Sequence, residues 1–188
     1  MTHTRNMLLA GLFAALVIIS SYIVIPIGPV PHTLQPLTVM LAGFLLGPKW
    51  GATSILIWII LGCLGLPVFN QGQSGAVMLV GPTGGFIIAF VICAWLVGYC
   101  TQKDPNASFG KNLFYLVLAM IVTYIVGLIG FKLSFAYFLQ KPMSWEKAAI
   151  LSVAPFLPFD IIKAVIATFL GMKVRKALIV AGLYKVAK

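Results

Sequence analysis

The chain has 188 residues, 61% hydrophobic and only 9% charged, with 13 basic side chains against 3 acidic ones for a formal charge of +10. A soluble domain carries roughly 25% charged residues, so this composition describes an integral membrane protein. At about 20 apolar residues per span, the chain holds about six spans and leaves no length for an ATPase, kinase or nucleic-acid-binding module.

Arg5 leads into an uncharged apolar run from Met7 to Ile25. The run is longer than a signal h-region of about 7–15 residues, and no small-residue cleavage site follows it. It reads as a retained first span over residues 6–25. Within it, Ala10/Ala14 and Gly11/Ala15 repeat at a spacing of four, which lets helices approach closely in lipid. That face either packs inside the bundle or meets a partner subunit. Pro26, Pro29 and Pro31, with Gly28, then break the helix. A short second span over residues 36–46 ends at Gly47-Pro48, and a third covers 51–66. The loop that follows, 67–81, is uncharged and rich in glycine and amides. Its Gly81-Pro82-Thr83-Gly84-Gly85 lacks the GxxxxGK[ST] spacing and the lysine of a phosphate loop. Spans four and five cover residues 82–101 and 112–139, a short interfacial helix falls near 146–150, and the last span starts near Pro158.

The positive charge does not point to nucleic acid. Arg5, Lys173, Arg175, Lys176, Lys185 and Lys188 lie near the two ends, and Lys49, Lys103 and Lys111 lie in short loops. Six spans put both termini on one side, and placing them inside leaves only Lys141 and Lys147 outside. Basic residues concentrate on the cytoplasmic side of membrane proteins. The expected fold is therefore an all-α, compact bundle of six transmembrane helices with both termini cytoplasmic, forming a single integral-membrane domain over 1–188.

In that bundle the polar inventory converges on the outer half. Asp160 and Lys163 stand three residues apart in an otherwise apolar span, so they share a helix face. Charges at membrane depth cost a few kcal/mol each on insertion scales and usually serve a ligand or an ion path; the plain alternative is a structural ion pair. Asn70, Gln71, Gln73 and Ser74 either line the same pocket or form a solvated loop. Cys63, Cys93 and Cys100 lack metal-ligand spacing and read as small apolar residues. Lys132, inside the fifth span, either snorkels or enters the pocket. No catalytic dyad, metal site or cofactor motif is present.

The stretches PVPHTLQ at Pro29–Gln35, LAGFLLGPKWG at Leu41–Gly51, LGLPVF at Leu64–Phe69, GPTGGF at Gly81–Phe86 and PFLPFDIIKA at Pro155–Ala164 resemble the BioY family, the biotin-specific S components of energy-coupling-factor (ECF) transporters. The resemblance covers most of the chain. It implies high-affinity biotin capture from outside the cell by a multi-pass protein of the bacterial cytoplasmic membrane. Its implied partners are a membrane coupling protein, the T component, and two ABC-type ATPases. Asp160 and Lys163 match the family's aspartate and lysine, and Asn70 matches an asparagine after the third span. Gly11 and Ala15, flanked by Ala10 and Ala14, match the docking face for the coupling protein. A family arginine in or after the second outer loop has no counterpart, which leaves the biotin carboxylate to Gln73, Lys163 or Lys132.

Biotin's chemistry suits the residues. Its ureido ring offers N–H donors to Asp160, and Asn70, Gln73 and Gln35 can donate or accept. Its thiophane ring and valeryl chain need apolar walls, which Phe69, Phe156, Phe159, Trp58 and Leu34 supply. The competing readings are an ion-coupled secondary transporter of another small carboxylate or vitamin, which predicts internal repeats, and a membrane enzyme, which needs a reactive cluster. Neither feature is visible in the chain.

Overall fold

An uncharged run in lipid must satisfy its backbone internally, and a helix does so. The computed structural model describes residues 3–25 and 32–182. It contains α1 (His3–Tyr22), α2 (Gln35–Cys63), α3 (Gly84–Lys103), α4 (Phe109–Leu133), α5 (Trp145–Ser152) and α6 (Leu157–Val180). The proline-rich stretch 26–31, Lys185 and Lys188 lie outside the described residues. Among the described residues, four helices are long and apolar enough to cross a bilayer, and the α5–α6 pair, bent by 50°, passes as a fifth.

The sixth rod comes from α2. Twenty-nine residues of straight helix would run about 43 Å, but Gly47 sits at φ 80°, ψ −178°, a region essentially reserved for glycine. Pro48 follows and has no N–H to continue the ladder. A Cβ built on Gly51 would lie 2.8 Å from the Gly43 Cα, although eight residues of straight helix span about 12 Å. So α2 folds back on itself, and its arms, residues 35–46 and 48–63, are the second and third spans expected from the sequence.

The arms of α2 pack against α1, α3 and α6, and α4 packs against α3, α5 and α6. The helices are apolar on every side, so burial is what distinguishes inside from outside. On α1, Ala10, Phe13, Ala14 and Val17 are buried at helical spacing, whereas Leu8, Leu12, Leu16 and Ile19 are exposed. The small-residue stripe is thereby divided. Ala10 and Ala14 are sealed inside, while Gly11 and Ala15 are exposed, and nothing lies within 4 Å of a Cβ built on Gly11.

Three features differ from the sequence expectation or settle it. Between α1 and α2, β1 (Val24–Ile25) and β2 (His32–Thr33) pair antiparallel with Val24 opposite Thr33; only a loop was expected. Lys132 does not enter a pocket: its Nζ lies 4.2 Å from the Trp145 ring centroid, linking α4 to α5. Arg175, counted above with the charges that orient the chain, is 5% exposed and bonded inside the bundle.

Candidate functional site

Helix α6 starts with Leu157-Pro158, and proline is well tolerated in a first turn because the amide it lacks has no intrahelical acceptor there. This start places Asp160 in the first turn, where the helix dipole favours a carboxylate. Lys163 follows on the same face. Asp160 is 3% exposed and Lys163 5%. Lys163 Nζ donates to Asp160 Oδ1 at 2.6 Å, and Tyr124 Oη, from the middle of α4, donates to Oδ2 at 2.7 Å. Each carboxylate oxygen thus has one strong donor and keeps free lone pairs for a guest.

The triad forms part of the wall of a cavity of about 90 Å³. A single water needs roughly 10–15 Å³ on the same scale, so the space suits a small organic molecule. Trp58, Phe69 and Phe86 supply apolar wall, with Met40, Phe90 and Phe156. The polar groups are Thr33, Gln35, Asn70, Thr83 and Thr123, besides the triad.

The walls are held by specific bonds. Trp58 Nε1 donates to the Val68 carbonyl at 2.8 Å, and the Trp58 and Phe69 rings meet edge to face at 5.2 Å. The Tyr22 hydroxyl donates to the Pro67 carbonyl, and Ser21 Oγ, whose shorter bond of 2.6 Å goes to the Ile18 carbonyl, lies 3.1 Å from the same Val68 carbonyl. The loop between α2 and α3 is therefore stapled to α1 and α2, with Phe69 and Asn70 on the cavity wall. On the other side His32 stacks on Phe156 with ring centroids 4.0 Å apart. That contact joins β2 to the start of α6.

Five of the seven expected binding residues line the cavity: Asp160, Lys163, Asn70, Gln35 and Phe69. Gln73 and Phe159 do not. Gln71 at φ 54° and Gly72 at φ 76° turn the chain, so Gln73 is exposed and bonds through its backbone, the carbonyl accepting from Phe69 N–H at 3.0 Å and the N–H donating to the Asn70 carbonyl at 3.2 Å. Phe159 lies behind His32, edge-on at 5.5 Å. Leu34 also falls outside the lining, whereas Trp58 and Phe156 belong to it. Cys93, read as a small buried residue, also borders the cavity. The sequence reading missed Tyr124. Its signal was a phenol in the middle of an apolar span, since a buried tyrosine hydroxyl generally finds a partner.

An ion pair with spare acceptor capacity, amides and apolar walls suits a compact molecule with N–H donors, carbonyl acceptors and a hydrocarbon body. Comparison with known proteins agrees with this chemistry. The BioY family model matches residues 1–179. "Biotin transporter BioY" of Thermotoga maritima is 36% identical over 172 residues, covering 92% of this chain and 96% of that protein. "Probable biotin transporter BioY" of Pyrococcus horikoshii is 38% identical over 171 residues, covering 91% and 96%. A crystal structure of the S-component for biotin from an ECF-type ABC transporter matches with a TM-score of 0.82 at 30% identity, over 94% of this chain and 95% of that one. Matched along nearly its whole length in both sequence and fold, the chain belongs to the BioY family.

Proposed function

We propose that this membrane protein captures biotin from the extracellular side and serves in its uptake as the S component of an ECF-type ABC transporter. It is a transporter subunit rather than an enzyme. The observation that carries the reading is the buried Asp160–Lys163 pair, braced by Tyr124, on the wall of a largely apolar cavity. Asp160, Lys163, Asn70 and Gln35 are its polar contacts, and Phe69 is part of its apolar wall. The charge distribution of the sequence supports an outward-facing cavity and cytoplasmic termini. Radiolabelled biotin is expected to stay with the detergent-purified protein through gel filtration, without nucleotide. Loss of the label, together with uptake that follows an imposed ion gradient in vesicles, would favour an ion-coupled carrier instead.

The partners belong to the same proposal. A membrane coupling protein docks on the exposed Gly11–Ala15 side of α1, and two ABC ATPases drive the cycle from the cytoplasm. The absence of any Cβ at Gly11, with open space around it, supports close helix approach there. Gly11→Phe is expected to abolish co-purification of the coupling protein and leave biotin retention unchanged. Intact co-purification would remove this face from the docking surface.

A further inference from the structure

The ion pair and aromatic walls leave two buried atoms on the cavity wall without a hydrogen-bond partner, the acceptor Asn70 Oδ1 and the donor Gln35 Nε2. Gln35 is the first residue of α2 and is 5% exposed. The Thr33 hydroxyl accepts from the Gln35 backbone N–H at 3.3 Å and donates to Gln35 Oε1 at 3.0 Å. Those two bonds use the hydroxyl's single proton and one of its lone pairs, and they fix the plane of the side-chain amide. Gln35 Nε2 is then buried without a hydrogen-bond partner on the cavity wall. A buried amide donor left unpaired is unfavourable, so the empty protein holds this group in a state that a guest oxygen would relieve. Lys163 is committed to Asp160, and no other cation lines the cavity among the described residues. The α2 N-terminus adds positive potential at the same place.

We propose that Gln35 is a specificity-determining residue whose Nε2 donates to an sp2 oxygen of the bound molecule, with Thr33 as its positioning residue. This rests on the biotin reading above. Biotin carries two such oxygens, the ureido carbonyl and the valerate carboxylate.

The test uses full-length protein in detergent with biotin and with biotinol, whose chain ends in CH2OH and so keeps only the ureido sp2 oxygen, as probes. Gln35→Leu is expected to melt, without ligand, at or above the wild-type temperature, because it removes an unsatisfied donor. Its biotin affinity is expected to fall by about fivefold or more. An equal loss for biotinol assigns the oxygen to the ureido ring, and an unchanged biotinol affinity assigns it to the carboxylate. Thr33→Val, which frees the amide plane without removing the amide, is expected to give a smaller loss with the same ligand pattern. The proposal is overturned if Gln35→Leu binds both probes like wild type. It is equally overturned if Gln35→Leu loses stability and binding together, or if Thr33→Val shows the opposite ligand pattern. Wild-type protein that fails to bind biotin at all sinks the biotin reading and this inference with it. Normal wild-type binding with an indifferent Gln35→Leu sinks the inference alone.

Discussion

Lys163→Met is expected to destabilise the protein more than the double change Asp160→Asn with Lys163→Met, although both variants lose biotin. The single change leaves a buried carboxylate with Tyr124 as its one side-chain donor among the described residues. Removing one partner of a buried ion pair costs about 3–5 kcal/mol, whereas replacing both charges by neutral groups of similar size is often neutral or stabilising. The comparison separates two roles that the geometry superimposes. Were the pair only structural, the double variant would regain both stability and ligand. If the pair serves the ligand, stability returns and binding does not. On the proposed biotin reading, Asp160→Asn alone is expected to cost one charge-assisted hydrogen bond of about 1.5–3 kcal/mol, or roughly ten- to hundredfold in affinity. Thermal melts in detergent beside biotin titrations read both axes. A double variant that binds biotin like wild type would move recognition away from α6.

The reasons why part of this site was legible and part was not are physical. Asp160 and Lys163 stood out because a charge in an apolar run is expensive wherever the run packs. The spans stood out for the same reason. The Gly47-Pro48 break was read as the end of a span, and its φ of 80° makes it the turn of a helical hairpin. What the sequence did not show was which side of each span faces the cavity. A soluble helix marks its buried face by polarity, but a membrane helix is apolar all round. Tyr124 and Thr123 therefore looked like any residues of the fifth span. In the loop between α2 and α3 no periodicity orders the amides, so spacing alone did not separate Asn70 from Gln73; the turn at Gln71 and Gly72 directs one inward and the other out. Strand pairing at Val24–Ile25 with His32–Thr33 was likewise hidden, because two-residue strands leave no alternating pattern to read.

Arg175 was assigned to the charges that orient the chain, and the structure gives it a different task. Its Nη1 donates to the Thr101 carbonyl at 2.9 Å, and its Nη2 donates to Thr101 Oγ1 at 3.0 Å and to the Phe44 carbonyl. The guanidinium also lies 4.1 Å from the Phe44 ring centroid. Both carbonyls have the same defect. In a continuous helix each would accept from the residue four positions on, and those residues are Pro48 and Pro105, which have no N–H. One planar side chain from α6 thus satisfies the carbonyls orphaned at the α2 turn and at the end of α3. Arg175→Met keeps most of the stem and removes the donors. It leaves two buried acceptors unsatisfied at about 1–3 kcal/mol each, so the expected loss is about 2–6 kcal/mol, among the largest for a residue remote from the cavity. Arg175→Lys is expected to recover only part of it, because an ammonium cannot reproduce the fork that reaches α2 and α3 together. Because α6 also carries Asp160 and Lys163 into the cavity, loosening its far end is expected to weaken biotin binding less than it lowers the melting temperature. Equal melting of Arg175→Met and wild type in detergent would show that water, not the guanidinium, satisfies those carbonyls.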